Sequence, residues 1–70
     1  MYKINPEKLN AAMRDDELTM DSLFAVTKLP DSERKAFDAA IAGKEEIDSR
    51  SLSLIAHLLD VIPYEIADSF

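Results

Sequence analysis

Arg34 and Lys35 are adjacent cations in a predicted helix, and they are the residues of this chain best suited to recognition chemistry. Phe37, Ala40 and Ile41 follow at i, i+3 and i+4, which is the spacing of a helix with one apolar face. On an exposed helix, arginine and lysine can donate hydrogen bonds to the edge of a guanine. The alternative is that the two charges are simply solvated.

The stretch of residues 19–44 predicts two short helices joined by a sharp turn. Leu23 and Phe24 lie one helical turn before Thr27, and Pro30 suits the first turn of the second helix. We expect a helix-turn-helix, in which the second helix enters the DNA major groove and the first crosses the backbone behind it.

The side chains that could take part in catalysis or bind a metal lack the partner residues that either function needs. His57 is the only histidine, and no cysteine is present. The acidic runs at residues 15–17 and 45–48 lack the glycine and alternating oxygen ligands of a calcium loop. The serines in residues 49–53 have no histidine base at nucleophile-elbow spacing. We therefore expect no enzyme, no metal site and no cofactor.

The composition is that of one small globular domain spanning residues 1–70. Apolar residues make up 47% of the chain, with one glycine and three prolines, which disfavours disorder. The chain shows neither a signal peptide nor an apolar run of membrane-spanning length, so we expect a cytoplasmic protein that does not enter a membrane.

The net charge of −6 opposes binding through phosphates. Residues 28–50 are closer to neutral, with five basic and six acidic side chains, against three and eight in the rest of the chain. The proposed DNA side is therefore less acidic than the remainder, although it is not a basic patch.

Five helices in total are expected, which makes the fold all-α. Asn5 and Pro6 predict the start of a first helix that runs to about Asp16, and Thr19 predicts the N-cap of the second. The third helix should end at Gly43. For residues 1–4 the sequence is compatible with either an extended arm or irregular chain.

Asp48 or Ser49 predicts the N-cap of a fourth helix, and Pro63 the start of a fifth that runs to about Asp68. More apolar side chains occur in this part of the chain than one packed face needs, so we interpret some as core and some as a homodimer interface. The interface candidates are Leu54, Leu58, Tyr64 and Phe70.

This order of helices resembles the Cro and lambda-repressor type of DNA-binding domain, also called the Xre family. The similarity spans roughly residues 9–66 and is carried by MRDDELTMDSL at residues 13–23, AIAGK at 40–44, and SLSLIAHLLDV at 51–61 leading into PYEIA. Met20 stands where the family usually has glutamine, Phe24 where it has alanine, and Lys28 near the place of its turn glycine.

The resemblance implies a regulator that binds double-stranded operator DNA, commonly as a dimer. It maps phosphate contacts onto Thr19, Lys44 and Arg50. It maps base-facing positions onto Ser32, Glu33, Arg34, Lys35 and Asp38.

The alternative is an acidic module with a repressor-like core that binds a basic protein partner, as an antirepressor, antitoxin-like inhibitor or DNA mimic would. In that case the contacts to the partner would come from Asp31, Glu33 and Asp38, with Met20 and Phe24 as apolar anchors.

Overall fold

The computed structural model describes residues 1–68, with side chains for all of these except residues 15 and 16. It contains four α-helices: α1 at Pro6–Asp16, α2 at Met20–Thr27, α3 at Arg34–Ile41 and α4 at Ser49–Leu58. Single turns of 3-10 helix occupy Asp31–Glu33 and Pro63–Glu65. The expected all-α class is confirmed, whereas the predicted fifth helix is only the second of these 3-10 turns.

Side-chain caps begin three of the four α-helices at the positions that the sequence predicts. The Asn5 side chain accepts hydrogen bonds from the amides of Glu7 and Lys8, at 3.0 and 3.2 Å. Thr19 Oγ1 accepts from the Ser22 amide at 3.2 Å. An N-cap acceptor satisfies an amide that has no partner within the helix, so these contacts define where each helix starts.

Left-handed residues end the helices and turn the chain. Glu17, Lys28 and Asp60 have φ of 55°, 58° and 57°, and Gly43 has φ of 79°. The third helix was expected to end at Gly43, but α3 ends two residues earlier at Ile41. Gly43 is then the expected left-handed residue after the helix, where the absence of a Cβ removes the steric cost.

The buried apolar side chains form one cluster that draws on all four α-helices and both termini of the described chain. Its fully buried large members are Ile4, Leu9, Leu23, Leu52, Ile55 and Ile66. Ala12 and Met13 of α1 are half-buried and pack against the edge of this cluster.

Residues 1–4 form an extended arm that belongs to the core. Tyr2 pairs antiparallel with Ile47, through amide-to-carbonyl bonds of 2.8 and 2.7 Å, and Ile4 pairs with Ala67. Only 1% of Ile4 is exposed. The arm therefore ties the loop before α4 to the segment after it.

Candidate functional site on helix α3

The corner between α2 and α3 is held by aromatic packing and by a buried hydroxyl. The rings of Phe24 and Phe37 meet edge to face, with centroids 5.1 Å apart and planes at 67°. Thr27 is fully buried, and its Oγ1 donates to the Phe24 carbonyl at 2.7 Å and accepts from the Leu29 amide at 3.4 Å. These contacts set the direction in which the chain leaves α2.

Lys28 makes the turn itself. Its left-handed backbone, with φ of 58° and ψ of 26°, caps α2, and its amide donates to the Ala25 carbonyl at 3.2 Å. A lysine pays a steric cost in this conformation that a glycine does not. The side chain is exposed beside the turn, and sequence reasoning had not included it among the candidate contacts.

Arg34 is held by two carboxylates and one aromatic ring. Its Nη1 lies 2.9 Å from Asp21 Oδ1 on α2, and its Nε donates to Asp38 Oδ1 at 3.0 Å, one turn along α3. The guanidinium carbon is 5.1 Å from the centroid of the Phe24 ring. The bonds to Asp38 and Asp21 raise the pKa of Arg34 above its ordinary value.

The side chains of Arg34 and Lys35 therefore point in different directions. The Arg34 side chain, 36% exposed, turns toward α2, where two carboxylates balance its charge. Lys35 is exposed and forms no ion pair with the side chains that the structure describes. Of the two, only Lys35 presents an uncompensated charge to solvent.

Lys35 lines an open depression of about 350 Å³ on the outer side of α3. The depression also includes Ser32, Ala36, Ala39 and Glu45. Small side chains at Ala36 and Ala39 keep the surface low around the lysine. The Lys35 side chain is exposed at this surface, and the nearby Glu45 carboxylate reduces the net charge there.

The other residues predicted to face DNA are at the surface. The side chains of Ser32, Glu33 and Asp38 are exposed, and Asp38 is the one engaged by Arg34. The predicted phosphate contacts Thr19, Lys44 and Arg50 are also exposed. Thr19 caps α2 through the oxygen that a phosphate would approach, so its hydroxyl already has a structural task.

The predicted interface residues do not share one environment. Leu54 and Leu58 are half-buried, one helical turn apart on α4, and 58% of Tyr64 is exposed. Phe70 lies outside the described residues. Ile62, 59% exposed, was not among the predicted interface residues, because its place after the end of α4 carries no periodic signal.

Within the described part of the chain, no group of three histidine, cysteine, aspartate or glutamate side chains is placed to hold a metal ion. No helix there is long and apolar enough to cross a membrane.

In comparisons with known proteins, no protein-family model, no curated protein and no solved structure matches this chain. The function is therefore inferred from the residues and their geometry.

Proposed function

We propose that this chain is a small DNA-binding regulator in which α2 and α3 act as a helix-turn-helix, with α3 in the major groove of an operator. The observation that carries the proposal is the corner between the two helices. Thr19 caps α2, Lys28 adopts the left-handed turn, and Phe24 packs on Phe37. Lys35 and Asp38 of α3 are exposed. An exposed face on the second helix of such a pair is what a recognition helix would need, and this supports the proposal.

Lys35 is the residue that we assign to base recognition. It is exposed on the outer side of α3, and its ammonium group can donate to guanine O6 and N7. Ser32 lies beside it in the same depression and can donate to a base or a phosphate. We assign Arg34 a positioning role, because Asp21 and Asp38 hold its guanidinium against the α2–α3 corner.

Phosphate contacts are assigned to Lys44 and Arg50, with Thr19 as a weaker third. Contacts of this kind fix orientation without reading sequence. Regulation would follow from occupancy of the operator, without a chemical step or a cofactor. If Leu54, Leu58, Tyr64 and Phe70 mediate a dimer, the two α3 helices would enter successive major grooves about 34 Å apart.

The test is duplex selection from a random-sequence pool, followed by gel retardation with single variants. Lys35→Ala should weaken the selected duplex by about 1–3 kcal/mol and relax preference at one base position. Lys44→Ala and Arg50→Ala should weaken all duplexes alike and reduce the salt dependence. Lys8→Ala is the matched control, because Lys8 lies on α1 beside Asp68.

Failure to enrich any duplex at low salt would overturn the proposal. So would enrichment that is insensitive to the Lys35, Lys44 and Arg50 substitutions while circular dichroism stays helical. These outcomes separate loss of the reading surface from loss of the fold.

A second candidate function is favoured by the charge around α3. Asp31, Glu33 and Asp38 are exposed, and Arg34 is already balanced by carboxylates. An acidic module that binds a basic protein would use these side chains. Phe24, only 8% exposed, is too buried to act as the apolar anchor that the sequence suggested.

Salt dependence distinguishes the two functions. A DNA-binding protein loses affinity for duplex DNA steeply as the salt concentration rises, whereas a DNA mimic does not bind duplex DNA at any salt concentration. Glu33→Gln sharpens the comparison, since removal of this carboxylate should strengthen binding to DNA and weaken binding to a basic protein.

A further inference from the structure

An open groove of about 290 Å³ runs between α3 and the loop that precedes α4. Its apolar lining comes from Met1, Leu29, Ala36, Phe37, Ala40 and Ile47. Ligand pockets usually span about 300–1,000 Å³, so this groove has room for one or two side chains rather than for a cofactor.

Carboxylates line the edge of the groove. Glu33 stands on one side, and Glu46 and Asp48 on the other. Asp48 is occupied as the N-cap of α4, and Arg50 and the Met1 amino group act on it electrostatically. Glu33 and Glu46 are exposed and form no ion pair with the described side chains, so they are the acids available to a ligand.

The groove lies on a different side of α3 from Lys35, the residue that we assign to base recognition. Ala36 and Ala40 follow one another at helical spacing along the groove side of α3, and Glu33 precedes them in the 3-10 turn. Lys35 and Ala39 follow at the same spacing along the outer depression, although Ala36 borders both surfaces. Arg34 and Asp38 are directed toward α2. A ligand in the groove would therefore leave Lys35 exposed.

We propose that this groove is a docking site for a basic segment of a partner protein, with one large apolar side chain in the groove and lysines or arginines beside Glu33 and Glu46. The apolar floor gives burial, and the two carboxylates give orientation and faster encounter. A phosphodiester backbone would gain nothing from the floor and would be repelled at the rim. A second copy of this chain, with a net charge of −6, lacks the complementary charge.

The test uses a short fluorescent peptide with one central leucine between lysines, titrated against the full chain. Glu33→Gln combined with Glu46→Gln should weaken binding about threefold to tenfold, because exposed ion pairs contribute little individually. Glu45→Gln, next to Glu46 but outside this groove, should change it little. A peptide with alanine in place of the leucine should bind more weakly.

Methyl chemical shifts locate the ligand independently of affinity. The methyl chemical shifts of Leu29 and Ile47 should change when the peptide is added, whereas those of Leu54 on α4 should not change. Absence of binding, equal loss with Glu45→Gln, or indifference to the central leucine would each overturn the proposal. Shifts at Leu29 and Ile47 that depend on protein concentration alone would instead place a second copy in the groove.

Discussion

Arg34 of α3 bonds to Asp21 of α2 across the corner between the helices, with 2.9 Å between Nη1 and Oδ1. The same guanidinium also bonds to Asp38 and lies over the Phe24 ring. The arginine that the sequence offers as a base reader is thus held at the corner between the two helices by Asp21 and Asp38. A phosphate or base would have to compete with these carboxylates for the guanidinium.

Asp21→Asn combined with Asp38→Asn should strengthen duplex binding about threefold to tenfold at low salt. The substitutions remove two carboxylates that repel phosphates, and they leave the Arg34 charge free to pair with a phosphate. The gain in affinity should be modest, because exposed ion pairs contribute little free energy. Gel retardation at several salt concentrations measures the gain. Asp60→Asn combined with Glu65→Gln removes equal charge away from α3, and an equal gain there would show that only net charge matters.

Gly43→Ala should destabilise the fold by about 1–3 kcal/mol. The position has φ of 79°, and a Cβ there would meet Pro6 Cγ at 3.1 Å and the Ile4 carbonyl oxygen at 3.2 Å. Backbone of the paired arm cannot yield as a flexible side chain would. Urea unfolding monitored by circular dichroism measures the loss. Ala42→Ser, on an exposed neighbour with right-handed backbone, should lie within about 0.5 kcal/mol of the parent chain.

Lys28→Gly should stabilise the fold by about 0.5 kcal/mol, since relief of the left-handed conformation outweighs the added freedom of the unfolded chain. Lys28→Ala is the matched control, because it removes the same charge and keeps the steric cost. Thermal unfolding should rank the glycine variant above the alanine variant. Equal melting temperatures would show that the turn at φ of 58° carries no measurable strain.

The stability of α4 should depend on pH through Asp48. The hydroxyl and amide of Ser51 lower the pKa of this carboxyl below its ordinary value. Because the pKa of Asp48 is lower in the folded state, its carboxylate contributes fully to the free energy of unfolding above about pH 4. That contribution is lost as the pH falls through the folded-state pKa. Urea unfolding between neutral and acidic pH follows this loss.

Asp48→Ala should cost about 1 kcal/mol at neutral pH, the usual effect of removing an N-cap. The difference from the parent chain should shrink in acid, because protonation weakens the same cap. A difference that stays constant down to about pH 2 would assign the acid sensitivity to other carboxylates.

The positions of the α-helices were accessible from the sequence because their signals are local. Asn5, Thr19 and Asp48 cap from the predicted positions, since an N-cap contact spans only two or three residues. Gly43 was recognisable for the same reason. The prediction of a fifth helix was wrong, because a proline can start a single turn as well as a longer helix. Here only one 3-10 turn follows Pro63, and Ala67 then pairs with Ile4 of the arm.

The sequence by itself determined an all-helical chain with a short turn between α2 and α3, because periodicity and capping act within a few residues. Only the tertiary structure decided that Arg34 faces Asp21, that Lys35 stands apart from it, and that Ile4 is buried. Those outcomes depend on how separate helices approach one another. The groove beside Phe37 depends on the same placement, since residues distant in the chain meet there only after the core has formed.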